Sequence, residues 1–196
     1  MMDKQLNAEY WNRLYLENDT GWDQGSVSTP LKEYFDTLAG QNISILIPGA
    51  GNCYEGEYLL GKGFTNVTIL DYAPEAIQGF KKRVSAYEKA NLVCEDFFSH
   101  KGAYDLIIEQ TFFCALHPSL RPDYANKMHE LLKPGGKLVG LLFTHVPDKE
   151  GPPFGGSAAE YKNLFSETFY IEKLEPCYNS IKPREGRELF LTLVRK

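Results

Sequence analysis

Gly49-Ala50-Gly51 closes one short apolar run of this chain, and Asp71 closes the next. Glycine lacks a Cβ, so backbone at such a turn can approach a ligand closely. A carboxylate 20 residues beyond Gly51 can accept hydrogen bonds from both hydroxyls of a ribose. The pair suits a nucleoside held outside the carboxyl ends of parallel strands, and alone it fits NAD and S-adenosylmethionine (SAM) equally. Tyr54 separates the two. It occupies the third position of the Gly-x-Gly-x-x-Gly pattern, where a glycine lets helix and strand pack tightly around a pyrophosphate. A tyrosine crowds that approach, whereas SAM carries no phosphate.

Other chemistry-bearing residues are sparse. His117 and His145 fall near strand ends, and Glu109 ends a strand where it could meet cofactor or substrate. A lone histidine is more often structural than catalytic. Cys114, in FFCAL, reads as a packing residue with no base beside it, and no general base is assigned. Phe112, Phe113, Phe143 and Phe154 lie on segments expected to converge on an apolar pocket. Four scattered histidines and four cysteines without a CxxC pair give no metal-ligand spacing, so no metal is expected.

The elements that must position these residues follow from the apolar pattern. Leu6, Tyr10, Trp11, Leu14 and Tyr15 share a helical face. A second helix is expected with Thr29 as cap and Pro30 at its first position, stopping at Gly40. Residues 43–47 and 67–70 are short, mostly apolar runs, as in strands buried on both faces. Helices are expected over residues 55–62 and after Pro74, where Ile77, Phe80, Val84 and Tyr87 are periodic. Strands follow at 92–94 and 104–110, then a helix ending at Leu132, a PGG turn and the strand KLVGLLF. Alternation of this kind implies a mostly parallel sheet covered on both faces. The final runs, FYIEKLEPCYNSI and ELFLTLVRK, read as an antiparallel edge hairpin around a polar loop. Residues 147–156 hold glycines and prolines suited to a lid or a passive crossing, ending at a capping box of Ser157 and Glu160.

A length of 196 residues with 43% hydrophobic side chains fits one domain with a real core. The expected division is a helical cap over residues 1–40 and an α/β core over 43–196. A net charge of −5 argues against nucleic acid and anionic membrane as partners. The N-terminus lacks the pattern of a secretory leader, and no run approaches the roughly 20 apolar residues of a membrane span. A cytoplasmic protein with reduced cysteines is expected, as a monomer or small homo-oligomer acting on a small molecule.

The segments YWNRLYLENDTGWDQGSVSTPL, LIPGAGNCYEG, LDYAPEAI, CEDFF, YDLIIEQTFFCALHP, LLKPGGKLVGLLF and GPPF together are more specific than the glycine turn. On them the chain resembles the class I SAM-dependent methyltransferases of the thiopurine methyltransferase-like family, in particular the halide/thiol branch. The resemblance implies a Rossmann-like seven-stranded, mostly parallel, doubly wound sheet with an antiparallel C-terminal hairpin and an N-terminal helical extension. It implies that Trp11, Tyr15 and Trp22 cover the cofactor, with Tyr15 standing where many members have tryptophan. It sets Gly49 and Gly51 beside the methionine part of SAM, Asp71 on the ribose, and Asp96 with Phe97 around the adenine. Gln110 matches a further cofactor-contacting position, often tyrosine in the halide/thiol branch and arginine in thiopurine enzymes. Many class I enzymes carry an acid at the start of the glycine motif; here Ile47-Pro48 stands, as is usual for the resembled family.

The implied reaction is methyl transfer to a small soft nucleophile, a thiol, halide or similar, by direct in-line displacement. Positioning can supply much of such a rate. A thiolate or halide needs no base, whereas an alcohol or amine more often does. Thiopurine or metalloid methylation on the same fold, an inactive SAM-binding protein and a NAD-dependent oxidoreductase are the rival readings.

Overall fold

The computed structural model describes residues 6–146 and 150–196. In chain order the helices are α1 (Ala8–Leu16), α2 (Thr29–Thr37), α3 (Tyr54–Gly61), α4 (Pro74–Arg83), α5 (Arg121–Leu131) and α6 (Ala158–Phe165). The strands are β1 (Ile45–Pro48), β2 (Val67–Asp71), β3 (Ala90–Cys94), β4 (Tyr104–Gln110), β5 (Leu132–Phe143), β6 (Phe169–Pro176) and β7 (Glu188–Arg195). They form one seven-stranded sheet in the order β3-β2-β1-β4-β5-β7-β6. The first five strands are parallel, and β7 is antiparallel to both β5 and β6. The expected doubly wound sheet with an antiparallel C-terminal edge is therefore present.

Strand periodicity builds the two layers. Successive side chains point to opposite faces, so Ile45 and Ile47 join Phe35, Leu59, Ile69 and Phe80 in one core. Leu46 joins Ile107, Tyr124, Met128 and Phe165 in the other. Both β1 and β2 are buried throughout, which is why their sequences lack a regular apolar–polar alternation. β1 lies between β2 and β4, so the order reverses there, and the loops at the carboxyl ends of these strands open a crevice.

Several boundaries differ from those expected. The cap of α2 is Ser28, whose carbonyl accepts the first helical bond from Lys32 at 2.8 Å. That helix stops at Thr37, where the Thr37 hydroxyl bonds the Tyr34 carbonyl and competes with the helical ladder. Val84 ends α4 in an extended conformation, and Tyr87 begins a separate 3-10 turn. The PGG segment lies inside β5, at a register shift where Tyr104 pairs with Leu132 but Leu106 pairs with Lys137. Ser157 and Glu160 do form the reciprocal capping box of α6. Among the described residues no helix is long and apolar enough to cross a membrane, and no cluster of side chains could hold a metal ion.

Candidate active site

The turn after β1 is unusually left-handed. Gly49, Gly51 and Cys53 have φ values of 56°, 55° and 52°, which is why glycine is favoured at the first two. The space freed by the missing side chains is filled by the protein's own rings. A Cβ on Gly49 would lie 2.5 Å from Phe112 Cγ, and one on Gly51 would lie 2.8 Å from the Tyr15 hydroxyl. The glycine that lets helix and strand approach is Gly56, where a Cβ would meet Cys53 Sγ at 2.7 Å and Ile69 Cδ1 at 2.9 Å. Sequence reasoning sought that glycine at position 54. Tyr54 instead starts α3, under the Arg83 guanidinium, and its hydroxyl reaches Asp23 at 3.3 Å.

Asp71 closes β2 and is 7% exposed. Its Oδ2 accepts the Gly51 amide at 2.9 Å and its Oδ1 the Ala73 amide at 2.8 Å. Burial raises its pKa while those amides pull the other way. Each carboxylate oxygen has a second lone pair, so the group can hold the turn and still accept from a ligand. Asp96 is exposed and shapes its own loop by accepting the Phe98 amide at 2.6 Å. Phe97 is buried and packs edge-on against Phe112, with ring centres 5.1 Å apart. Glu95, on the same wall, is held by His100, whose other ring nitrogen meets the Tyr104 hydroxyl at 2.7 Å.

The N-terminal segment brings its aromatics to this crevice. Trp22 lies edge-on to Trp11 at 5.4 Å and to Tyr15 at 5.7 Å between ring centres. Burial, with Asp71 nearby, raises the Tyr15 pKa strongly, so it stays a neutral phenol. The Trp22 segment is tied down through its neighbour Asp23, which accepts from Asn52 at 2.5 Å as well as from Tyr54. Ser28 adds a backbone bond to the buried Glu55 at 3.1 Å. Arg184 reaches the Trp22 carbonyl at 2.8 Å from the far end of the chain. Sequence reasoning missed both Asp23 and Arg184. The WDQG motif pointed to the first, and an i, i+4 pair with Glu188 pointed to the second, although such a pair usually reads as a surface feature.

The wall beyond β4 is largely apolar. Phe112, Cys114, Ala115, Leu116, Leu120, Phe143, Val146, Pro152 and Pro153 line the cavity there with Arg184 and Arg187. Gln110 also lines it, its Oε1 buried without a hydrogen-bond partner. Phe113 does not belong to this wall: it is 1% exposed and packs among Tyr124, Tyr161 and Phe165. Phe154 is also absent from the wall; its amide bonds the Cys114 carbonyl at 2.7 Å and its ring meets His117. His117 and His145 are exposed and line no part of the cavity. His117 caps a 3-10 turn through Ser119.

Glu109 also has a structural task. It is fully buried, accepts the Phe112 and Phe113 amides at 2.8 and 2.9 Å, and accepts the Tyr124 hydroxyl at 2.6 Å. These bonds secure a turn in which Thr111 has φ of 59°, a costly conformation for a β-branched residue. Burial pushes the Glu109 carboxyl up to about 7 against the opposing hydrogen bonds. Burial likewise pushes the Cys114 thiol up, leaving it a poor nucleophile. Of the segment 147–156, residues 147–149 lie outside the described residues. Its remainder is anchored by Gly156 to the Phe143 carbonyl and by Arg121 to the Gly155 carbonyl.

The cavity measures about 650 Å³, within the usual range for small-molecule sites. It brings together Trp11, Tyr15, Trp22, Gly49, Gly51, Asp71, Asp96, Phe97, Gln110 and Phe143. The residues present fit a nucleoside sulfonium: a buried carboxylate with spare lone pairs and the faces of aromatic rings line the same cavity.

The chain is similar to known proteins along most of its length. A family model described as thiopurine S-methyltransferase matches residues 6–192. The chain is 32% identical over 184 residues to a probable thiol methyltransferase 2 of Arabidopsis thaliana, covering 91% of this chain and 81% of that protein. It is 28% identical over 193 residues to thiocyanate methyltransferase 1 of the same plant, covering 95% and 85%. A crystal structure of the Burkholderia thailandensis 1,6-didemethyltoxoflavin-N1-methyltransferase, with 1,6-didemethyltoxoflavin and S-adenosylhomocysteine bound, shares the fold. Its TM-score is 0.78 at 18% identity, covering 97% of this chain and 88% of that one.

Proposed function

The chain belongs to the thiopurine S-methyltransferase family and is a SAM-dependent methyltransferase, and we propose that it methylates a small soft nucleophile, a thiol, a halide or a similar ion, by direct in-line displacement. One observation carries the choice of acceptor. Among the described residues, the cavity wall contributed by the β4 and β5 tips and the segments around 152 and 184 holds no histidine and no carboxylate. An alcohol or amine would more often need a positioned base there, whereas a thiolate or halide arrives ionised. The apolar surface of Phe112, Leu116 and Phe143 suits a weakly hydrated nucleophile and excludes water. The relatives named for thiol and thiocyanate methylation support the same choice.

When bound, SAM supplies a methyl group carried on a sulfonium centre. We assign Trp11, Tyr15 and Trp22 to its cover, since aromatic faces attract desolvated cations by about 0.5–2 kcal/mol. Gly49 and Gly51 are assigned to its methionine end, Asp71 to the ribose, Asp96 and Phe97 to the adenine, and Gln110 to a further contact. The substrate pocket is assigned to Phe112 and Phe143. The same reading treats the chain as one methyltransferase domain, with residues 1–40 as cap and 43–196 as core. It works in the cytoplasm on small molecules rather than nucleic acid, as a monomer or small homo-oligomer.

The test is turnover with SAM and, separately, iodide, hydrosulfide, small thiols, thiopurines, alcohols and amines, with headspace detection of volatile methyl products. Methyl halide or methyl sulfide formation is expected. SAM binding without turnover on any of these nucleophiles would point to a binding protein instead.

A further inference from the structure

Arg184 is a buried cation in a segment that reads in sequence as a solvated loop. It ends the 3-10 turn Lys182–Arg184 between β6 and β7 and is 7% exposed. Its Nη1 lies 3.3 Å from Oε1 of Glu188, itself 4% exposed, and its Nη2 donates to the Trp22 carbonyl at 2.8 Å. The guanidinium carbon lies 5.3 Å from the centre of the Phe143 ring. Phe143 and Glu188 are directly paired across β5 and β7, so the sheet fixes both supports of the guanidinium.

A buried ion pair is weak evidence for stability, because desolvation cancels much of its attraction. The beneficiary here is the carbonyl 162 residues away. Residues 17–28 link α1 to α2 with no helix or strand of their own. Their side-chain ties through Asp23 and Glu55 run to the glycine turn and α3. Among the described hydrogen bonds, Arg184 alone ties this segment to the opposite, C-terminal wall of the cavity. Glu188 neutralises the guanidinium, so its role toward the site is directional rather than a bare positive field.

We propose that Arg184 is a positioning residue: oriented by Glu188 and Phe143, it clamps the Trp22 segment to the C-terminal hairpin and so presets the aromatic cover for the cofactor. The proposal rests on the reading of Trp22 as part of that cover. It makes the last two strands, none of whose residues lines the cavity, a determinant of cofactor affinity.

Trp11 and Trp22 are the chain's two tryptophans, so intrinsic fluorescence reports on the cover. Arg184→Lys keeps a charge opposite Glu188, but a single ammonium lacks the fork that reaches two partners. The double variant Arg184→Met with Glu188→Met removes both charges, an exchange that is often neutral or stabilising for a buried ion pair. Titration of each with S-adenosylhomocysteine is expected to require roughly tenfold higher concentration for the half-maximal tryptophan change, as for loss of a charged hydrogen bond. KM for SAM should rise in parallel, with kcat less affected. Wild-type affinity in both variants, or a rise confined to the acceptor's KM, would overturn the clamp. No fluorescence response in the wild-type chain would overturn the cover itself, and the clamp with it.

Discussion

At the scale of single residues, the glycine turn is shaped as much by its own protein as by a ligand. Gly49 has φ of 56°, and Phe112 fills the place of its side chain. Gly49→Ala should therefore cost at least about 1–2 kcal/mol in backbone conformation alone. It should also displace Phe112 from the acceptor wall, so a thermal melt and the acceptor KM should both worsen. Asp71→Ala is expected to weaken SAM binding by about 1–3 kcal/mol and to lower the melting temperature, because the Gly51 and Ala73 amides lose their acceptor. Calorimetry that found unchanged affinity would mean the ribose lies elsewhere. The types and order of Gly49, Gly51 and Asp71 were legible in sequence because they follow strands. The roles of Gly56, Tyr54 and Arg184 were not, because each depends on a neighbour far away in the chain: Ile69, Asp23 and Trp22 respectively.

At the scale of elements, apolar runs located the strands, and periodicity located the helices. What escaped was the detail set by competing hydrogen bonds, as at Ser28 and Thr37, and the bulge that draws PGG into β5. Glu109 shows the same limit: its place at the end of β4 was plain, but its donors, Phe112, Phe113 and Tyr124, appear only in the fold. Its pKa is raised from 4.5 to about 7, so its contribution to stability is full below the unfolded value and is lost as pH rises through the folded one. On this account Glu109 alone removes up to about 3 kcal/mol between pH 4.5 and 7. Glu109→Gln keeps an acceptor for the two amides and does not ionise. The difference in unfolding free energy between variant and wild type should therefore move in the variant's favour across that window. A flat difference in denaturant titrations would show that the buried carboxyl does not titrate there. Asp105, held at about 2 chiefly by Lys133, acts at lower pH and cancels in the comparison.

At the scale of the whole molecule, distant parts of the chain meet at one crevice. The N-terminal aromatics, the β1 and β2 tips, the turn after β4 and the hairpin loop around Arg184 all line it. The reversal of strand order at β1 opens the crevice, and β6, which ends at the same edge of the sheet as β5, delivers the C-terminal loop to its rim. Alternation of buried strands and helices made the sheet legible, but the convergence of the two chain ends was not, since neither end carries a spacing signal toward the other. The proposed transfer is to a nucleophile that needs no base from the protein. It is tested most directly by the pH dependence of kcat/KM for two small thiols with different pKa values. Each profile should rise with that thiol's own ionisation. A single rising limb shared by both thiols would reveal a titrating group of the enzyme and contradict the proposal.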